Sequence, residues 1–503
     1  MTAAAGRPPT EAPTGVGATT VKAIAWSGVG ATVTQVISFA GALVVIRLVS
    51  PAQFGVMALA VAVAGLATTL ADTGLSTAIA QRSEVTRSHE SSAFWLQLLV
   101  STAVTGAVIA LSRPLAGLFH NPSMRAPLVA LSCGLVLQGL SAVPRALLVR
   151  SLQMNRLAMI DMAAAASGVL VGLLTALAHH GVWALVSTTV TLTTVSAVGA
   201  FLASGWLPAR SLGRTALRDL WGFARPLYGS VIVNYLVRNG DNMLIGRFLG
   251  PLQLGLYSRA YALLLVPTRQ ITGVVGGALQ VTLSRIAGDK DRSRRIYLDT
   301  CGHIAFLTMP LMLLIAVLAE DFVPVVMGEQ WAAAIPAVRI LALVGVIEPL
   351  VSTCGWIYFA QGRTDLSFRI SLLLGPLYLA AIGGGVYAGS ATSASLAYLA
   401  LNVITIPVLL ASAGRLIDVR LRDYARAAGP ALIAAGIAAA AAAGTQRLLL
   451  LAGEPAALRL VAAAATGGLT YLLTARRLGL PAMTTLVGGA ARARARLTRR
   501  VSR

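Results

Sequence analysis

Three polar side chains stand at helical spacing in an otherwise apolar stretch. In VNYLVRNGDNMLIGR, Asn234, Arg238 and Asp241 fall at i, i+4 and i+7 and so share one helical face. Ionisable groups at membrane depth are costly to desolvate, and they face a partner or a water-filled cavity. A guanidinium in such a cavity can hold phosphate oxygens through two parallel hydrogen bonds, so the chemistry expected here is recognition of an anionic group. Arg259 and Arg269 lie in the next apolar stretch, Asp72 in the second, Arg145 at the end of the fourth, and Arg339 and Glu348 in the tenth. The bland alternative for Arg238 and Asp241 is an intrahelical ion pair at i, i+3.

The elements that must position these groups are membrane helices. Apolar residues make up 56% of the chain and charged residues 12%, which excludes a soluble protein. Apolar runs of about twenty residues, enough to cross a bilayer as helices, recur from end to end. The alternating pattern of a barrel strand is absent, so the expected fold is all-α and multi-pass, with about fourteen transmembrane helices. The runs are 24–46, 54–78, 92–112, 128–149, 158–178, 182–203, 223–248, 254–280, 301–319, 335–359, 367–387, 391–413, 427–445 and 457–475. Residues 1–20 read as a disordered tail without a cleaved signal peptide. Cys133, Cys301 and Cys354 are far apart in or beside apolar segments, with no metal or redox spacing, and read as buried membrane thiols.

Alternating the spans from a cytoplasmic N-terminus places 28 of the 40 basic residues inside, while the outer connections hold few, among them Arg113, Arg125, Arg447 and Arg459. That asymmetry obeys the positive-inside rule and puts both termini in the cytoplasm. The net charge of +22 therefore reports topology and attraction to anionic lipid rather than nucleic acid.

A repeat sets the architecture. Residues 46–60 read IRLVSPAQFGVMALA and residues 246–260 read GRFLGPLQLGLYSRA, so Arg47, Pro51, Gln53, Gly55 and Ala60 recur as Arg247, Pro251, Gln253, Gly255 and Ala260. The first copy joins spans one and two and the second joins seven and eight. A period of six spans returns the chain to the same side, so the halves are parallel repeats, the signature of a transporter with its path between them. The expected divisions are a six-helix lobe over 21–220, a second over 221–415, two extra helices in 416–478 and a basic tail over 479–503. The matching face of span one holds Thr34, Ser38 and Gly41, so charge belongs mainly to the second half.

Each polar residue also has a structural reading. Arg47 and Arg247 flank tight outer turns and fix those turns or snorkel to the interface. Arg145 near an inner end is an interfacial anchor, Asp161 a helix-start acid, and His179 and His180 solvated turn residues. Asp72, deep in span two, reads equally as a cavity residue. Pro267, Pro310, Pro349, Pro376 and Pro407 kink spans.

Several stretches carry a family resemblance: RLVSPAQFGVMALA, LADTGLSTAIAQR, SSAFWLQLL, AVPRALLVRSLQM, RNGDNMLIGRFLG, LGLYSRAYALLLVP and MGEQWAAAIPAVRILAL. Over roughly residues 20–415 the chain resembles the polysaccharide-flippase branch of the multidrug/oligosaccharidyl-lipid/polysaccharide exporter superfamily. The resemblance implies two six-helix lobes around a cavity, alternating access, and translocation of an undecaprenyl-diphosphate-linked oligosaccharide across the bacterial cytoplasmic membrane. It implies membrane lipids, a coupling ion (H+ or Na+) and a polysaccharide polymerase or glycosyltransferases as further partners, and no cofactor or metal. The residues that match its patterns are Asp72, Arg145, Arg238, Asp241, Asn242, Arg247 and Arg259, with individual roles left open.

Two other function classes stay in view. A membrane polymerase or ligase would carry catalytic groups in a large outer loop, and the outer loops here are short. A multidrug exporter of the same superfamily moves organic cations and favours intramembrane carboxylates, whereas arginines lead at depth here. No GxxxxGK[ST] loop is present, so the chain is not an ATP-driven pump by itself.

Overall fold

The computed structural model describes residues 15–81, 85–209, 213 and 235–483. Among these residues the fold is helical throughout and contains no strand, as a chain that must satisfy its backbone inside a bilayer requires. The helices are α1 (Gly15–Leu48), α2 (Pro51–Ala71), α3 (Leu75–Gln81), α4 (Arg87–Leu118), α5 (Arg125–Arg150), α6 (Met154–Leu177), α7 (Val182–Ser204), α8 (235–248) and α9 (Gly250–Pro267). They continue as α10 (Gly273–Arg285), α11 (Lys290–Val317), α12 (Ala319–Phe322), α13 (Ile335–Ser352), α14 (Cys354–Ala360), α15 (Thr364–Tyr387), α16 (Ala391–Gly414), α17 (Leu421–Leu451) and α18 (Ala456–Arg477). Twelve helices among the described residues are long and apolar enough to span a membrane. The pair Gly250–Thr272 and Val275–Arg285, bent by 43° at the break between them, makes a thirteenth if it is counted as one broken span. The remaining expected span, 223–248, begins in residues outside those described, as does Asn234.

The repeated motif has a local reason. Pro51 opens α2 at a position where its missing N–H costs nothing. Around it, the Ser50 N–H donates to Gln53 Oε1 at 3.1 Å and the Gln53 N–H to Ser50 Oγ at 3.4 Å, a reciprocal cap. In the second copy Gly250 replaces Ser50, and the freed Gln253 Oε1 instead accepts the N–H of Ala391 at 2.9 Å, capping α16. Proline thus recurs because both copies start a helix, and glutamine because each caps a helix start, its own in the first copy and that of α16 in the second.

Chain contacts divide the molecule into two units. The first comprises residues 1–49 and 60–236, the second residues 50–59 and 237–503. In the first, α6 packs on α1 and α7, and α5 packs on α4 and α7. Basic residues here cap helix ends as well as marking topology. Arg150 donates to the carbonyl of Ile79 at 3.2 Å, and Arg156 to that of Ala203 at 2.7 Å, which supplies donors to C-terminal carbonyls that have none within their helix. His179, in the turn after α6, has a positive φ of 59° and ends that helix.

In the second unit α13 packs against α9, α11 and α16, while α17 lies against α11 and α18. The alanine-rich sequence of α17 now has a purpose. Ala431, Ala434, Ala435, Ala438, Ala439 and Ala442 are all buried, forming the small-residue face that lets membrane helices approach closely. Pro310 in α11 offers no N–H to the carbonyl of Phe306. Tyr471 of α18 fills the gap, donating its hydroxyl to that oxygen at 2.7 Å. At the other end Asp321 accepts from Arg459 Nε at 3.1 Å and Gln446 Nε2 at 2.7 Å, fastening α17 and α18 to the corner that follows α11. Cys301 and Cys354 are buried, as expected, but Cys133 is exposed.

Candidate functional site

The second unit carries the densest polar cluster, and α8 leads into it. Asp241 is 4% exposed. One carboxylate oxygen accepts the N–H of Asn242 at 2.7 Å, and the other accepts the hydroxyl of Tyr257 on α9 at 3.2 Å. The i, i+3 ion pair with Arg238 does not form: Asp241 turns toward α9, whereas Arg238 is exposed, and no ion pair of either is found among the described residues. Sequence periodicity placed both on one broad face, but packing against α9 separates them.

A run of tyrosines extends from Asp241. Tyr257 stacks on Tyr261 with ring centres 5.8 Å apart, Tyr261 meets the edge of Tyr398 at 5.7 Å, and Tyr398 packs on Tyr378 at 5.6 Å. Tyr378 ends the run, donating to Asn402 Oδ1 at 3.0 Å and lying 2.9 Å from Thr405 Oγ1. Glu348 of α13 is within Coulombic reach of Arg238, Tyr261, Tyr378 and Tyr398. The tyrosines were missed by sequence reasoning, which weighed charged and amide side chains, and Glu348 was not placed in the site. The signal available was the i, i+4 spacing of Tyr257 and Tyr261 and the presence of a lone acid in the run 335–359.

Arg259 lies two residues beyond Tyr257, on another side of α9. Its guanidinium sits over the Phe54 ring at 4.8 Å, and Phe54 in turn meets Trp331 edge-on at 5.3 Å. Among the described residues the Arg259 Nε is buried with no hydrogen-bond partner, and so is the Oδ1 of Asn242. Buried polar atoms are nearly always paired. Such groups in a native protein call for a ligand or a functional reason. Arg247 is partly buried near the end of α8, 5.4 Å from the Phe248 ring.

Two expected site residues belong to the first unit and have structural partners there. Helix α2 ends at Ala71, so Asp72 is not deep in a span. It is exposed and accepts the N–H of Gly74 at 2.9 Å, closing the turn between α2 and α3. Helix formation stops there because an Asp side chain competes for backbone N–H groups. Arg145 reaches across from α5 to Asp161 of α6 at 2.9 and 3.3 Å and to Ser196 of α7 at 2.8 Å. Asp161 is therefore not a helix-start acid but the interior partner of a three-helix tie. Arg339, expected at membrane depth, lies near the start of α13 and pairs with Glu320 at 2.9 Å.

Comparison with known proteins fits this architecture. The chain is 25% identical over 392 residues to the lipopolysaccharide biosynthesis protein WzxC of Escherichia coli (strain K12), covering 76% of this chain and 79% of that one. It is 24% identical to the teichuronic acid biosynthesis protein TuaB of Bacillus subtilis (strain 168), covering 80% and 83%. It is 25% identical to the succinoglycan biosynthesis transport protein ExoT of Rhizobium meliloti (strain 1021), covering 77% and 78%. Among solved structures, the fold is similar to that of the lipid II flippase MurJ in an inward closed conformation, with a TM-score of 0.71 at 13% identity over 89% of this chain and 97% of that one. It is also similar to an inward-facing multidrug resistance MATE family transporter of the MOP superfamily, with a TM-score of 0.58 at 15% identity over 78% and 99%. The sequence profile of the polysaccharide biosynthesis proteins matches residues 44–336, more than half of the chain. This multi-pass membrane protein therefore belongs to the polysaccharide biosynthesis protein family.

Proposed function

We propose that the chain is a flippase for an oligosaccharide linked to undecaprenyl diphosphate, a repeat unit of a cell-surface polysaccharide. It acts in the bacterial cytoplasmic membrane, with both termini in the cytoplasm. Residues 21–220 and 221–415 form the two lobes, which alternate in opening to either side. The observation that carries this reading is Arg259, a partly buried residue whose Nε is buried without a hydrogen-bond partner and which forms no ion pair among the described residues. A diphosphate is the group that such a cation would stabilise most, because it offers paired oxygens in the geometry of the guanidinium fork. Arg238, exposed on α8, supplies a second cation, and Asn242 can donate or accept toward the same cargo. Relatives named for lipopolysaccharide, teichuronic acid and succinoglycan biosynthesis support the cargo class. The role is transport without bond-making, so no residue is assigned a catalytic part.

Asp241, bonded to Tyr257, and Glu348, whose charge acts on the tyrosine run, are the groups that would carry the coupling ion, H+ or Na+. They also favour a second reading, export of an organic cation, because buried carboxylates suit that cargo. The separating experiment is reconstitution into proteoliposomes. Movement of a fluorescent undecaprenyl-diphosphate oligosaccharide that R259A abolishes supports the flippase. Export of a small organic cation that D241N abolishes, with no lipid movement, supports the alternative.

A further inference from the structure

A cavity lies apart from the α8–α9 cluster. It has a volume of about 150 Å³ and is walled by α11, α17 and the segment that follows α18, with Asp299, His303, Arg426, Pro430 and Leu480 on its lining. The third wall exists because α18 ends in a glycine turn. Gly479 has φ +65°, the N–H of Leu480 returns to Ala475 at 3.1 Å and that of Gly479 to Arg476 at 3.2 Å. This double closure turns the chain sharply and buries Leu480 at 3% exposure.

Each wall stands where its helix passes from charged to apolar sequence. Helix α11 opens with KDRSRR and is apolar beyond His303; α17 opens with LRDYAR and is apolar beyond Arg426; α18 runs apolar into Arg476 and Arg477. Such a boundary marks the head-group level of a bilayer. The cavity therefore lies at that level, on the side that the arginine asymmetry marks as cytoplasmic.

Its charges are of both signs and are not spent on each other. Asp299 and Arg426 are both exposed, and neither forms an ion pair among the described residues. Asp423, on the same helix as Arg426, is already held by Arg294 at 3.1 Å and by the N–H of Arg420 at 2.9 Å. Pro430 has no N–H to return to the carbonyl of Arg426, which loses its usual helical donor. The Nδ1 of His303 lies 2.6 Å from the carbonyl oxygen of Asp299, and since that oxygen only accepts, Nδ1 carries a proton.

We propose that this cavity seats the head group of an aminophospholipid from the cytoplasmic leaflet. The phosphodiester pairs with the Arg426 guanidinium, and the ammonium pairs with the Asp299 carboxylate and the Arg426 carbonyl. An anion alone would leave Asp299 facing a like charge, so the arrangement selects a zwitterion. Its lining shares no residue with the α8–α9 cluster, so the site is independent of the cargo. Filling it would hold the end of α18 against α11 and α17.

The test is native mass spectrometry of the purified full chain with an equimolar mixture of palmitoyl-oleoyl phosphatidylethanolamine and phosphatidylglycerol. The wild type should keep one phosphatidylethanolamine in preference to phosphatidylglycerol. D299N should lower that preference about tenfold, the worth of one charge-assisted hydrogen bond, with the folded protein unchanged. R426A should lose both lipids, and D299K should reverse the preference. Equal retention by all four proteins would overturn the proposal. So would displacement of the lipid by millimolar inorganic phosphate, which would identify a soluble-anion site, or a wild-type preference for phosphatidylglycerol.

Discussion

Gly55 and Gly255, equivalent residues of the two repeat copies, press against each other's helices in reciprocal fashion. A Cβ on Gly55 would strike the carbonyl oxygen of Pro251 and lie 2.9 Å from the nitrogen of Gly255. A Cβ on Gly255 would strike the carbonyl oxygen of Pro51 and lie 3.1 Å from the nitrogen of Gly55. The starts of α2 and α9 therefore cross about a local two-fold relation. Only glycine lets the two backbones meet so closely, with Cα–H groups facing carbonyl oxygens.

Replacing either glycine should force the crossing apart. Since the obstacle is backbone and cannot swing away, G55A and G255A should each destabilise by about 1–3 kcal/mol, the usual range for overpacking. The double variant should cost less than the sum, because one displacement makes room for both methyl groups. Thermal unfolding of the purified variants measures this, and strictly additive costs would show that the two sites do not share one crossing.

Tyr471 should be replaceable only where Pro310 is also replaced. Y471F leaves the buried carbonyl of Phe306 without a donor, at a cost of about 1–3 kcal/mol. In a P310A background the alanine N–H can return to that carbonyl, so Y471F should then cost markedly less. Equal costs in the two backgrounds would mean that Tyr471 serves only as packing.

Arg145 and Asp161 should behave as a unit. Their side chains are 33% and 43% exposed, so the net worth of the pair is modest, on the order of 1 kcal/mol or less after solvent screening. R145A or D161A alone strands one charge among three helices, so each single variant should give less folded protein than the double variant. A double variant worse than both singles would show that the charges act separately.

Asp241 should be separable into shape and charge. In D241N the amide oxygen can keep the Asn242 N–H while the amide nitrogen donates to the Tyr257 hydroxyl, so the α8–α9 contact and the fold should survive. Transport driven by an imposed proton or sodium gradient should fall to the level seen without a gradient. Gradient-driven transport at the wild-type rate would remove Asp241 from coupling.

Much of the fold was legible in the sequence because membrane helices announce themselves by length and hydropathy. The repeat was also legible, since Pro51, Gln53 and Gly55 recur for separable reasons of helix start, capping and close crossing. The site was legible only in part. Asp72 and Arg145 drew notice as charges in apolar runs, but whether a charge meets a turn N–H or an acid on another helix depends on tertiary packing. The same limit hid the tyrosine run, because Tyr398 and Tyr378 come from helices more than a hundred residues beyond Asp241. Asn234 lies outside the described residues, so its place beside Arg238 stays a proposal.

The most direct measurement is flipping of a fluorescent undecaprenyl-diphosphate oligosaccharide in proteoliposomes, comparing the wild type with R259A and R259K. Loss of the guanidinium should make R259A inactive. R259K should be strongly impaired as well, because an ammonium keeps the charge but loses the fork that grips a diphosphate. Wild-type flipping rates in R259A would contradict the assignment of Arg259 to the cargo, and no flipping by the wild-type protein would contradict the flippase itself.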